Sequence, residues 1–268
     1  MAKIFRKYGK SSVNAVFGLS LPPHRTLCSG NNPPSGNNRM ISLRFLALLA
    51  ISALSGQAAL AQDRGVIYAG GSVGDGAGGY GGGLISLPGN SLGHGLAVRA
   101  GVNGGTYRYR TTERIEATYI GAEAALVYQT SGSWGWANIG AGPRFTKTDL
   151  DPNDPGNKLQ GSQWDVGVQT DGVLGDRLRL GWFGSWGIRN ESYMAQLRLT
   201  QAVNRQSDKR LGLEATLQGD PTYKRGGLGA YISTAIGGGW TGQLSAGATE
   251  QKGRDARPYL SIGLSQVF

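Results

Sequence analysis

The stretch Gly70-Gly71-Ser72-Val73-Gly74 fits the G-x-S-x-G pattern of serine hydrolases. In those enzymes the serine lies at a strand-to-helix turn and works with a histidine and an acid. After residue 61 the sequence has one histidine, His94, and no helical pattern follows Ser72. A chain with 46 glycines also matches such patterns by chance. A lipid or glycan hydrolase using Ser72 and His94 remains the least favoured alternative, and we expect a protein that is not an enzyme.

Cofactor and metal motifs are equally weak. Gly74, Gly76 and Gly79 have the spacing of a dinucleotide fingerprint but lack the helix and βαβ unit that it requires. The segment Asp151-Pro152-Asn153-Asp154 has the composition of a calcium loop, yet Pro155 stands where the third ligand should lie. Residues 62–268 contain one histidine and no cysteine, which disfavours zinc. We therefore predict no cofactor and no metal.

The formal net charge of +10 suggests nucleic acid, but its distribution does not. Residues 1–61 contain seven of the 27 Lys and Arg residues and no acid, so the remainder has 20 basic and 17 acidic residues. No basic cluster suited to phosphate contacts remains after residue 61. We predict no nucleic-acid partner.

An export signal lies within the first 61 residues. A short basic region, residues 39–44, precedes the apolar run Phe45–Leu54, and Ala59-Leu60-Ala61 supplies the small-x-small pattern that signal peptidase cleaves. The ten apolar residues are too few to span a bilayer as a helix. We interpret residues 40–61 as a signal peptide, residues 1–39 as a misassigned or disordered extension, and residues 62–268 as the mature domain.

The elements after residue 62 follow a period of two. Leu260, Ile262, Leu264 and Phe268 share one face, while the intervening residues are mainly serine and glycine. Successive side chains of a strand point to opposite faces, so one face can meet lipid and the other water. The pattern recurs about twelve times, the even number of a bacterial barrel. The sequence predicts an all-β fold, a transmembrane antiparallel up-and-down β-barrel.

Charged residues within these strands fall on the polar face, as a barrel demands, because an arginine facing lipid at the midplane costs roughly 2–4 kcal/mol. A soluble β-sandwich remains the alternative fold, since its polar face would meet solvent. The predicted lumen-facing residues are Arg99, Glu123, Arg144, Asp165, Asp171, Arg177, Arg179, Arg198, Arg210 and Glu214.

Connection lengths predict the orientation. With the N-terminus in the periplasm, odd-numbered connections are extracellular, and the longest is the fifth, Lys147 to Gly161. Even-numbered ones, such as Leu174 to Asp176, are tight. Long outside and short inside is the asymmetry of outer-membrane barrels.

Aromatic residues have two interpretations. A group near strand ends predicts a girdle at the membrane interfaces. Tyr107 and Tyr109, at the base of an outer loop, are the candidates for saccharide contact, because an aromatic ring can pack on the apolar face of a sugar. The predicted girdle residues are Trp136, Trp182, Trp186, Trp240 and Phe268.

Most of residues 64–268 resembles the cellulose biosynthesis protein BcsS family of Gram-negative bacteria. The resemblance is carried by residues 98–109, by the loop Asp151–Asn157, by Gly212–Ala215 running into Gly219-Asp220, by Leu228–Tyr231 and by the closing segment from Pro258 to Phe268. It implies an outer-membrane component that accompanies the cellulose synthase and secretion machinery. The resemblance transfers no catalytic residue.

The leading hypothesis is a non-enzymatic accessory barrel for cellulose export, and the alternative is a small passive channel. The expected location is the bacterial outer membrane. The expected partners are outer-membrane lipid, the barrel-insertion machinery through the C-terminal strand, and cellulose or components of its secretion.

Overall fold

The computed structural model describes residues 63–204, 206, 208–221, 224–251 and 255–268. The predicted signal peptide and the extension before it lie outside the described residues. Within these residues, twelve strands follow one another. They are β1 (Gly65–Val73), β2 (Ala77–Ser86), β3 (Gly95–Arg110), β4 (Arg114–Gly132), β5 (Gly135–Asp151), β6 (Gly161–Leu174), β7 (Leu178–Gly187), β8 (Tyr193–Ala202), β9 (Lys209–Gly219), β10 (Lys224–Gly237), β11 (Trp240–Gln251) and β12 (Arg257–Val267).

Each strand pairs antiparallel with its neighbours in sequence, and β1 pairs with β12 to close the barrel. At the closure Val66 lies opposite Val267, and the amide of Arg64 donates to the carbonyl of Phe268 at 2.7 Å. The predicted fold, a twelve-stranded up-and-down barrel, is confirmed. The part of the chain described here contains no helix with the length and apolarity needed to span a membrane.

The two faces of the barrel invert the usual distribution of polarity. Large apolar side chains point outward and are exposed, as Leu228 at 72% and Ile262 at 65% show. Charged side chains point inward and are buried, as Glu214 at 2% and Arg99 at 4% show. A soluble sandwich would expose the charges and bury the leucines, whereas a barrel in hydrocarbon requires this arrangement. The structure therefore supports the membrane barrel over the sandwich.

Inward-facing glycines make room for tyrosines that lie against the barrel wall. Tyr68 lies opposite Gly82, and Tyr80 lies opposite Gly70. A Cβ atom on Gly82 would stand 2.8 Å from the Tyr68 hydroxyl oxygen, closer than van der Waals contact allows. The glycine content of β1 and β2 thus has a packing cause, because the lumen has no space for both side chains.

We define the outer end as the one carrying the odd-numbered connections, and the inner end as the one carrying both termini. Strands β3 to β6 have 14 to 19 residues and extend furthest at the outer end. The fifth connection spans residues 152–160, shorter than predicted, because Lys147–Asp151 pair with Glu116–Ile120 of β4. The second connection, residues 87–94, is longer than the tight inner turns predicted, and it folds back over the lumen.

Candidate functional site

Every strand of the barrel sends at least one large side chain into the lumen. We call this set the central layer. Its members are Tyr68, Tyr80, Arg99, Glu123, Asn138, Arg144, Asp171, Phe183, Arg198, Glu214, Tyr231, Gln243 and Tyr259.

On one side of the lumen, Arg99 is the centre of a polar network. Its guanidinium forms an ion pair with Asp171, and both side chains are buried. Arg99 also donates to the side-chain oxygen of Gln169 at 3.0 Å, and Asn138 donates to the second oxygen of Asp171 at 3.0 Å. Because β4 and β5 lie between β3 and β6, the Arg99–Asp171 pair crosses the lumen instead of following the wall.

The same network extends to β4 and β7 through Arg144. Its Nε donates to Glu123 at 3.1 Å, and its Nη2 donates to the hydroxyl of Ser185 at 2.6 Å. Gln169 donates to the other Glu123 oxygen at 2.5 Å. Each carboxylate of this group therefore has both a cation and a neutral donor, which compensates its removal from water.

A second network lies on the opposite strands around Glu214. Arg198 donates from Nε to Glu214 at 2.7 Å and from Nη1 to Gln243 at 3.0 Å. Tyr259 donates to the other Glu214 oxygen at 3.0 Å, and Tyr231 donates to Gln243 at 3.1 Å. The Arg198 guanidinium carbon also lies 4.3 Å from the centre of the Tyr231 ring, a cation–π contact.

Two tyrosines connect these networks. The rings of Tyr68 and Tyr80 lie 6.4 Å apart between centroids. Tyr68 lies within electrostatic reach of Arg99, and Tyr80 within reach of Arg198. The central layer is thus continuous around the barrel, and most of its side chains are buried.

The inner end of the lumen is apolar on the side formed by β1 to β4, which the sequence did not predict. Val66, Leu84, Ala97 and Val127 point inward and are buried together. Leu92, from the connection at residues 87–94, packs on them. The signal for this cluster was the inward position of apolar residues near the inner ends of these four strands.

Two of the predicted arginines are buried inward at the inner end. They are Arg179 and Arg210, and Arg210 donates to the backbone carbonyls of Asp176 and Arg177 at 2.9 and 2.7 Å. Arg177 lies in the bend before β7, where its side chain is exposed.

Asp165 is buried on the inward face, and its carboxylate is hydrogen-bonded to the connection between β7 and β8. Its carboxylate accepts backbone N–H groups of Arg189 at 2.8 Å and of Asn190 at 3.2 Å, both in the connection between β7 and β8. It also accepts the backbone N–H of Val166 at 2.7 Å. Asp165 therefore fixes the conformation of that outer connection.

Four of the five predicted girdle aromatics lie on the outward side of their strands, and Trp136 does not. Trp182, Trp186, Trp240 and Phe268 alternate with inward residues and lie on the outer face or at its edge. Trp136 shares the inward face of β5 with Asn138, and it lines a cavity of about 20 Å³ together with the buried Gln196 and Arg198. The girdle assignment of Trp136 is thus wrong, because strand parity places it in the lumen.

The outer mouth contains a row of tyrosines that face inward. Tyr107 stacks on Tyr109 with ring centroids 6.1 Å apart, and Tyr119 lies 6.2 Å from Tyr107. The Tyr109 hydroxyl donates to Asp154 at 2.7 Å and accepts from Asn157 at 2.8 Å. The two candidates for saccharide contact, Tyr107 and Tyr109, are therefore adjacent. The connection at residues 152–160 is hydrogen-bonded to Tyr109.

The hydrolase motif is not assembled. Ser72 lies near the outer end of β1, whereas His94 lies in the connection that follows the inner end of β2. The His94 ring is exposed and lies 3.2 Å from the hydroxyl of Ser131. Among the described residues, no group of three or more His, Cys, Asp or Glu side chains is arranged to hold a metal ion.

Solved structures with some similarity to this chain are barrels of low sequence identity. The KdgM porin is 11% identical with a TM-score of 0.42, over 76% of this chain and 99% of that one. The β domain of the Bordetella autotransporter BrkA is 12% identical with a TM-score of 0.48, over 77% and 100%. The translocator domain of the autotransporter NalP from Neisseria meningitidis is 13% identical with a TM-score of 0.45, over 84% and 95%.

A comparison with curated proteins finds no match. A comparison with protein families matches residues 66–268 to the cellulose biosynthesis protein BcsS model. The matched region contains nearly all of the twelve-stranded barrel, from the second residue of β1 to the C-terminal Phe268. The chain belongs to the cellulose biosynthesis protein BcsS family.

Proposed function

We propose that this protein is a non-enzymatic outer-membrane barrel with a closed lumen that supports cellulose secretion. The family membership links the barrel to cellulose biosynthesis. The outward apolar face and buried inward charges suit insertion into an outer membrane, the compartment in which closed barrels of even strand number are found.

The observation that carries the proposal is the continuous central layer. Arg99 and Asp171 pair across the lumen, whereas Arg198 pairs with Glu214 on the adjacent strand and also donates to Gln243 of β11. A solute passing through would have to separate buried ion pairs, and separating one such pair costs several kcal/mol. The apolar cluster around Leu92 adds a second barrier at the inner end. These features favour an accessory role over a passive channel.

The proposed partners follow from the two surfaces of the barrel. Lipid covers the outward face. The insertion machinery recognises the C-terminal strand β12, which presents Leu260, Ile262 and Leu264 outward. Phe268 closes the seam with Arg64 and Gly65. Cellulose or components of its secretion contact the parts of the barrel outside the bilayer.

Deletion of the coding region tests the accessory role. We expect a changed cellulose yield or fibril morphology, restored by the wild-type gene, with the permeability of the outer membrane to small antibiotics unchanged. Normal cellulose in the deletion strain refutes the proposal.

Planar-bilayer recording of the refolded protein separates the accessory barrel from the passive channel. We expect no steady conductance, because the central layer fills the lumen. A stable open conductance favours the channel.

The hydrolase alternative is tested by lipid and glycan hydrolysis assays of the wild type and of His94→Ala. Activity that His94→Ala abolishes contradicts a non-enzymatic role.

A further inference from the structure

The row of tyrosines at the outer mouth is a candidate ligand site that the central layer does not use. We propose that Tyr107 and Tyr119 bind a segment of β-glucan. The connection at residues 152–160, which is hydrogen-bonded to Tyr109, competes with the glucan for the surface beside these rings. The inference rests on the proposed function, because the family's link to cellulose names the polymer.

The first argument is the shape of the aromatic surface. Tyr107 and Tyr109 are two residues apart on β3, so they share a face, and their planes differ by only 26°. Tyr119 approaches Tyr107 from β4 with its ring tilted by 53°. Tyr107 and Tyr119 are only half-buried, so ring surface remains accessible from the mouth. A pyranose ring has an apolar face that can pack on such a surface.

The second argument is the chemistry beside the rings. The hydroxyls of Tyr107, Tyr109 and Tyr119 can each donate and accept a hydrogen bond, which suits a neutral ligand rich in hydroxyl groups. Asp220, which is buried, acts electrostatically on Tyr109 from the connection between β9 and β10.

The third argument concerns the connection itself. Tyr109 is only 4% exposed, since Asp154 and Asn157 lie over its hydroxyl. Hydroxyl groups of a bound sugar can replace both hydrogen bonds. Release of the connection then extends the aromatic row from Tyr107 to Tyr109. Glucan binding and release of the connection are therefore coupled, and each favours the other.

Binding of cellohexaose to the full chain, refolded in detergent, tests the site by calorimetry. Tyr107→Ala should weaken binding roughly tenfold, and Tyr107→Phe should bind like the wild type, because the ring remains. Tyr109→Phe, which removes both hydrogen bonds of the hydroxyl and keeps its ring, should bind more tightly. The control Tyr128→Ala changes an exposed tyrosine on the lipid face of β4 and should have no effect.

Trypsin cleavage after Lys158, which is exposed in the same connection, gives a second measurement. Cellohexaose should accelerate this cleavage in the wild type, and Tyr109→Phe should be cleaved rapidly without sugar.

Three outcomes overturn the inference. They are equal binding of the wild type and Tyr107→Ala, cleavage that does not respond to cellohexaose, and equal binding of α-linked maltohexaose. Absence of cellohexaose binding together with a cellulose defect in the deletion strain refutes this site alone. Binding together with normal cellulose in that strain refutes the proposed function instead.

Discussion

Arg99 and Asp171 form an ion pair through the interior of the barrel, although two strands separate them along its wall. Their side chains are 4% and 5% exposed, so neither charge is solvated by bulk water. Truncation of one partner in such a pair leaves the other charge buried without compensation. The pair is therefore a sensitive position for the stability of the barrel.

We expect Asp171→Ala to lower the free energy of unfolding by about 3–5 kcal/mol, the range for breaking a buried ion pair. Urea titration in detergent micelles, followed by tryptophan fluorescence, measures the change. Glu116→Ala is the matched control, because it removes the exposed partner of Arg108 on the outer end of β4 and should cost only about 0–1 kcal/mol. Equal effects of the two variants contradict the role of the lumenal pair.

The closed lumen that we propose should depend on the aromatic members of the central layer. Tyr80 and Tyr231 lie within electrostatic reach of each other and of Arg198. Truncating both tyrosines to alanine removes two large neutral side chains of the central layer, while the twelve strands keep their backbone pairing. We expect Tyr80→Ala/Tyr231→Ala to conduct small ions in planar bilayers, whereas Leu228→Ala on the lipid face stays closed. A silent double variant that still folds argues that the polar networks alone close the barrel.

Substitution by alanine should lower the stability of the barrel at one of two adjacent glycines of β2 and not at the other. Gly82 faces the lumen, where a Cβ atom would lie 2.6 Å from the carbonyl oxygen of Ala100 and 2.8 Å from the Tyr68 hydroxyl. Gly81 faces outward, and the nearest atom to its Cβ would be 3.8 Å away. Gly82→Ala should destabilise the barrel by about 1–3 kcal/mol through overpacking, and Gly81→Ala should be tolerated. Equal stability of the two variants in the urea titration contradicts this explanation of the glycines.

Strand alternation was enough to predict the barrel and most inward charges, because a period of two fixes which face each side chain takes. It did not predict which charges pair, since Arg99 and Asp171 meet across the lumen and not along a strand. The apolar cluster at the inner end was missed because Leu92 reaches it from a connection whose fold has no sequence period.

Trp136 was misassigned for a different reason. Tryptophans near strand ends were grouped by distance from the end, whereas the outward positions of Ile139 and Ala141 already place Trp136 on the opposite face of β5. Parity within a strand is thus a stronger guide to lipid contact than proximity to an interface, because the pleat turns every second side chain inward.

Lipid contact distinguishes the two kinds of tryptophan directly. Trp186 is 58% exposed on the outer face of β7, so brominated acyl chains in reconstituted vesicles should quench its fluorescence. Trp136 lines the lumenal cavity beside Gln196 and should be shielded from those chains by the barrel wall. We therefore expect Trp186→Phe to lower the fraction of fluorescence that brominated lipid quenches, and Trp136→Phe to raise it, because each change removes one emitter from a different environment. If Trp136→Phe also lowers that fraction, the indole of Trp136 contacts lipid and the inward assignment fails.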